Sequence, residues 1–173
     1  MLKMFSTQLT GLLNNIFEKE AFAFEDGARL LAQAAVGDGN VCIYGENEMK
    51  AIVSEALYSA EPFQSAKSWN GKDQSIAPED RVIIFSRYAH DEDAVAAGKW
   101  LVDQNIPFVA VTTDLGEETD SLTDLADVHI DLRLKKGLLP DEEGNRFGYP
   151  ASIAALYVYY GIKLTFDEIM AEY

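Results

Sequence analysis

Apolar positions along this chain follow two spacings, and the spacing changes mark the elements. Leu9, Leu12, Leu13 and Ile16 recur at intervals of three and four, which predicts an amphipathic helix from Leu2 to Ala21. Phe24, Ala28, Leu31 and Ala35 share one face of a second helix, stopped by Gly37-Asp38-Gly39. "NVCIYG" is short, apolar and ends in glycine, so it reads as a first strand. "EMKAIVSEALYSA" returns to helical spacing, with Met49, Ile52, Val53, Ala56 and Leu57 on one side. "QSAKSW" is a short strand. "RVIIFS" is a central strand, since its consecutive apolar residues need cover on both faces. "DEDAVAAGKWLVDQN" is a helix that Asp91 is placed to cap. "PFVAVTT" is the next buried strand, "SLTDLA" a short helix and "DVHIDL" the last strand. "KKGLLPDEEGNRFGYP" is rich in turn residues and reads as a loop. Pro150 suits the first turn of a helix to about Tyr160, and Thr165 a cap for a closing helix.

Strands and helices alternate from residue 40 to 132. That order predicts a three-layer α/β/α sandwich around a five-stranded parallel sheet of flavodoxin-like order. The chain reads as one domain over 1–173: an N-terminal helical pair (1–36), the α/β core (40–132) and C-terminal helices (149–173). Such sheets bind ligands beyond the carboxyl ends of their strands, at the switch point. The rule nominates the turns Gly45–Met49, Ser86–Asp91 and Thr112–Gly116.

Composition narrows the chemistry. Of 173 residues, 48% are hydrophobic, enough for one packed core. The net charge of −15 disfavours nucleic acid and anionic lipid as partners. No run of ~18 apolar residues is present to span a membrane. "MLKMFSTQLTGLLNNIFEKE" lacks the apolar core and cleavage site of a signal peptide, so a cytoplasmic protein is expected. The single cysteine, Cys42, falls in a strand and reads as a core thiol. His90 and His129 are far apart, so no metal site is expected. The glycines near Gly45 do not form G-x-G-x-x-G, so no dinucleotide or other cofactor is expected.

At the nominated turns a family resemblance emerges. "AAVGDGNVCIYGENEMKAIVSEAL" resembles the opening of SIS domains, the sugar isomerase fold. "EDRVIIFSRYAHDEDAVAAGKWLVDQNIPFVAVTTDLGEETDSLTDLADVHIDL" is similar to their continuation: strand, Ser-x-Ser-Gly turn, helix, strand ending in Thr, and "AD" before the last strand, here Ala126-Asp127. The compact plan looks most like phosphoheptose isomerase, or a SIS-like family without an established activity. The resemblance implies a phosphosugar ligand, with serine and threonine hydroxyls and backbone N–H groups at a helix start holding the phosphate. It implies contacts from Gly45, Asn47, Ser86, Arg87, Tyr88, Thr112 and Thr113. It also implies a homodimer or homotetramer, for which the apolar "LTGLLNNIF" offers a surface.

In phosphoheptose isomerases the catalytic glutamate lies late in the helix after the first strand. "SEAL" places Glu55 there as the base. The family's histidine on the C-terminal helix has no counterpart in "PASIAALYVYYG", and His90 is the stand-in acid. The first loop, Gly45-Glu46-Asn47-Glu48-Met49, lacks the usual serine. Ser-x-Ser-Gly has become Ser86-Arg87-Tyr88-Ala89, followed by Asp91, Glu92 and Asp93. A carboxylate at a helix start is stabilised by ~0.3–1 kcal/mol, and it repels a phosphate there. The expectation is a phosphosugar-binding protein with a reduced isomerase site. The alternatives are a non-catalytic sugar-phosphate sensor or a partner-binding SIS module.

Overall fold

A computed structural model describes residues 1–116 and 120–173. The elements run α1 (Leu2–Val36), β1 (Val41–Gly45), α2 (Lys50–Tyr58), β2 (Ala66–Ser68), β3 (Arg81–Tyr88), α3 (Glu92–Asp103), β4 (Phe108–Thr113), α4 (Leu122–Leu125), β5 (Val128–Asp131), β6 (Leu139–Pro140), β7 (Arg146–Phe147) and α5 (Ala151–Met170). The five strands β2-β1-β3-β4-β5, in that order, pair in parallel, the expected flavodoxin-like arrangement.

The strands are apolar on both sides because both sides are covered. Ile43, Ile83, Phe85, Val109, Val111 and Ile130 face the layer of α1, α2 and α5. Cys42, Tyr44, Val82, Ile84, Phe108 and Ala110 face α3 and α4. Burial pushes the Cys42 thiol up to about 12, so it stays protonated, as a core thiol should.

The expected N-terminal helical pair is a single helix of 35 residues. The apolar stripe never breaks. It steps from Ile16 through position 20 to Phe24, Ala28 and Leu31, and position 20 is a glutamate. Glu20 meets Arg133 at 2.6 Å, so the helix carries an acid on its inner stripe without a break. "LTGLLNNIF" packs largely on its own chain: Leu12 and Ile16 are buried, and Leu9 and Leu13 lean on the same core. Only Phe17 of that run stands out, 60% exposed.

The two expected C-terminal helices are also one. α5 runs 20 residues through Gly161, which is a packing cut-out and not a stop. A Cβ there would lie 2.3 Å from the Phe24 ring of α1. Thr165 therefore caps nothing; its hydroxyl donates to the Gly161 carbonyl at 2.9 Å, inside the helix. The expected loop before α5 contains the short antiparallel pair β6–β7, closed by Asp141, which accepts from the Glu143 and Asn145 N–H groups. Among the described residues, no helix is long and apolar enough to cross a membrane.

Candidate functional site

α2 and α3 leave β1 and β3 on opposite faces of the sheet, so the switch point lies between the carboxyl ends of β1 and β3. β1 ends at Gly45. A Cβ at this position would approach the Met49 carbonyl to 2.6 Å, so only glycine lets the turn fold back this closely. Asn47 follows with φ 49°, a left-handed conformation that asparagine tolerates, and is exposed.

β3 does not stop at Ser86. It bulges between Phe85 and Tyr88 and resumes pairing at Tyr88–Thr113. A bulge of this kind re-aims side chains at the edge of a site. Arg87 leaves the bulge toward the β1 turn and grips Glu48 with both arms of its guanidinium: Nε–Oε1 is 2.6 Å and Nη2–Oε2 is 2.8 Å. The hydrogen bond from Arg87 is the main reason the Glu48 carboxyl sits below its usual range. This pair bridges the two turns that flank the switch point.

Asp91 was expected to cap α3, and it does not. Its Oδ2 turns back and accepts from the Ser86 hydroxyl at 2.6 Å and from the Tyr88 N–H at 3.0 Å. The donors nominated to hold a phosphate therefore already hold a carboxylate. Tyr88 stacks on His90 with ring centres 5.6 Å apart and planes 9° from parallel.

Thr112 and Thr113 are buried at the end of β4. The Thr112 hydroxyl pairs with His129 Nε2 at 2.8 Å. Burial lowers the His129 pKa, against the raising effect of Asp131, Asp114 and Glu20. Gly45, Ser86 and Thr112 thus stand on three adjacent strand ends, as expected, yet do not line one shared hollow. The Ser86 and Thr112 hydroxyls turn to internal partners. Gly45 lines a hollow of about 250 Å³ with Lys50, Ser54, Ser68, Trp69 and Asn70. The sequence offered a weak signal for that lining: Lys50 and Ser54 are four apart, on one face of α2.

The expected acid and base lie apart. Glu55 belongs to α2, on the face shared with α5, and accepts a 2.5 Å hydrogen bond from the Tyr160 hydroxyl. That bond raises the Tyr160 pKa. His90 stands at the entry to α3, on the other face. Sequence reading missed Tyr160, whose only signal was its place in an aromatic run on the helix where a histidine was sought. Tyr160 also lines a groove of about 670 Å³, which lies between α1 and α5 with Phe17, Phe24, Leu164 and Tyr173 on its walls.

A family model described as a domain of unknown function, DUF2529, matches residues 1–170. The chain belongs to the DUF2529 family. It is also 39% identical over 173 residues to the uncharacterized protein YwjG of Bacillus subtilis (strain 168), covering 100% of this chain and 99% of that relative. The DUF2529 chain shares its fold with solved structures at low identity. An Escherichia coli CFT073 protein in complex with a sugar phosphate superposes with a TM-score of 0.71 and 15% identity, covering 98% of this chain and 89% of that one. The sugar isomerase domain of an RpiR transcription factor from Sphaerobacter thermophilus gives 0.63 and 16%, covering 96% and 91%. The α/β architecture is thus that of SIS domains, as the motif order implied.

Proposed function

We propose that this DUF2529 protein binds a sugar phosphate over the β1/β3 crevice and acts as a binding module, not as an isomerase. The observation that carries the reading is the donor set at the crevice. The Arg87 fork, the Ser86 hydroxyl and the Tyr88 N–H converge there, and each holds a carboxylate oxygen. Donors that hold a carboxylate suit a phosphate oxygen by the same charge-assisted geometry. In this reading Gly45 and Asn47 present backbone from the first turn, and Thr112 and Thr113 close the far side. Support comes from the fold shared with the Escherichia coli sugar-phosphate complex and with a transcription factor's sugar isomerase domain.

The same geometry speaks against isomerisation within one chain. Moving a proton between adjacent carbons needs a base and an acid within reach of one substrate. Glu55 and His90 occupy opposite sides of the sheet, and Glu55 is bonded to Tyr160.

A thermal-shift panel tests this. Aldose and ketose phosphates are expected to raise the melting point where the parent sugars do not, since ligand at 100 times its Kd adds ~2.7 kcal/mol. No shift with any phosphate at millimolar concentration would remove the proposal. For a ligand that binds, incubation in deuterated water is expected to leave its carbon-bound hydrogens in place. Washout that is lost in Glu55→Gln would show an isomerase instead.

A further inference from the structure

Every donor assigned to the ligand above is already occupied by an acid of the chain itself. Glu48 reaches across from the β1 turn to take both arms of Arg87. Asp91 reaches back from the start of α3 to take the Ser86 hydroxyl and the Tyr88 N–H. The two acids come from opposite sides of the crevice, 43 positions apart in sequence (48 and 91). Asp91 does not perform the ordinary job of an acid at its position, because it does not cap the helix that follows it. Ser86 is buried, at 5% exposure, so its hydroxyl has little access to water if the carboxylate leaves. Arg87 and Glu48 are half and one-third exposed, 49% and 30%, so that pair can open.

We propose that Glu48 and Asp91 are built-in competitors for the anion site. This rests on the preceding reading of the crevice. Ligand binding is then an exchange: the phosphate takes Arg87 from Glu48, and takes the Ser86 hydroxyl and the Tyr88 N–H from Asp91. The two acids set a threshold below which the site stays closed on itself. They also tell ligands apart. A phosphate can replace both carboxylates through its several oxygens, whereas a neutral sugar replaces neither and is excluded.

Titration calorimetry with inorganic phosphate and with the phosphates from the panel tests the idea on wild type, Glu48→Gln and Asp91→Asn. Both amides keep the shape and an acceptor oxygen while losing the charge. Each variant is expected to bind about tenfold tighter than wild type, because removing a competitor raises the binding-competent fraction. The gain in Glu48→Gln is expected to vanish when Arg87→Ala is added. Wild type also carries a test that needs no variant: saturating phosphate is expected to move the Arg87 Nε–H resonance as its partner changes. Equal or weaker binding in both amide variants, or a stationary Arg87 resonance in wild type that binds phosphate, overturns the competitor role alone. Absence of binding in wild type and in all variants overturns both this role and the crevice reading.

Discussion

Replacing Asp80 with alanine is expected to cost about 3–5 kcal/mol of stability, the usual cost of breaking a buried, hydrogen-bonded charge pair. Asp80 is fully buried at the turn into β3. One carboxylate oxygen accepts from the Asn40 N–H at 2.8 Å and from its side-chain amide at 3.0 Å. The other accepts from Lys67 Nζ at 2.8 Å and from the Ala77 N–H at 3.0 Å. One residue thus ties the turn before β1, the strand β2 and the approach to β3. Alanine leaves two backbone donors and an ammonium without an acceptor. The Lys67 side chain is 36% exposed and recovers part of its hydration, which places the effect toward the lower end of that range. Urea unfolding checks it, as a lowered midpoint at unchanged slope. A pH signature accompanies the loss. Burial alone would raise the Asp80 pKa, but Lys67, Ala77 and Asn40 outweigh it and hold the group at about 2, below its ordinary 3.8. A depressed carboxyl contributes stability above the unfolded-state value and loses it as pH falls toward the folded-state value. Wild type should therefore weaken between about pH 4 and pH 2, and Asp80→Asn should lack that share of the slope.

Phe166→Ala is expected to cost about 3–5 kcal/mol, the range for deleting a buried aromatic ring. Phe166 is fully buried in the second half of α5, with its ring centre 4.6 Å from that of Phe63. Phe63 follows α2, so this contact anchors the closing helix to the segment leading into β2. At about 2–4 °C per kcal/mol for a chain of this size, the melting point should fall by roughly 6–20 °C. A fall of about a degree would mean that the last two turns of α5 fray without consequence, and that the helix depends on Gly161 and the residues before it.

The parallel core was legible because its signals are local. Runs such as Val82–Phe85 and Phe108–Val111 are apolar at consecutive positions, and only a sheet covered on both faces explains that. Helix lengths were not legible, because the deciding facts lie across the chain. Glu20 interrupts the apolar stripe of α1 on paper, and Arg133, 113 positions away, makes it acceptable. Gly161 resembles a helix stop until Phe24 is seen to occupy the missing Cβ. The candidate site shows the same limit. Sequence located the right turns, and Asp91 was recognised as an acid set against a phosphate. Its actual target, the Ser86 hydroxyl, depends on the β3 bulge, which has no signature in "FSRYA". The Glu48–Arg87 and Glu55–Tyr160 pairs join residues 39 and 105 positions apart, beyond what spacing can show.

The central claim is that an anion enters between the ends of β1 and β3. Amide resonances recorded while a sugar phosphate is titrated in address it directly. The account predicts shifts concentrated at Gly45, Asn47, Ser86, Arg87 and Tyr88, with the lining of the α1/α5 groove unmoved. Shifts centred instead on Phe17, Leu164 and Tyr173, with the crevice silent, would contradict it.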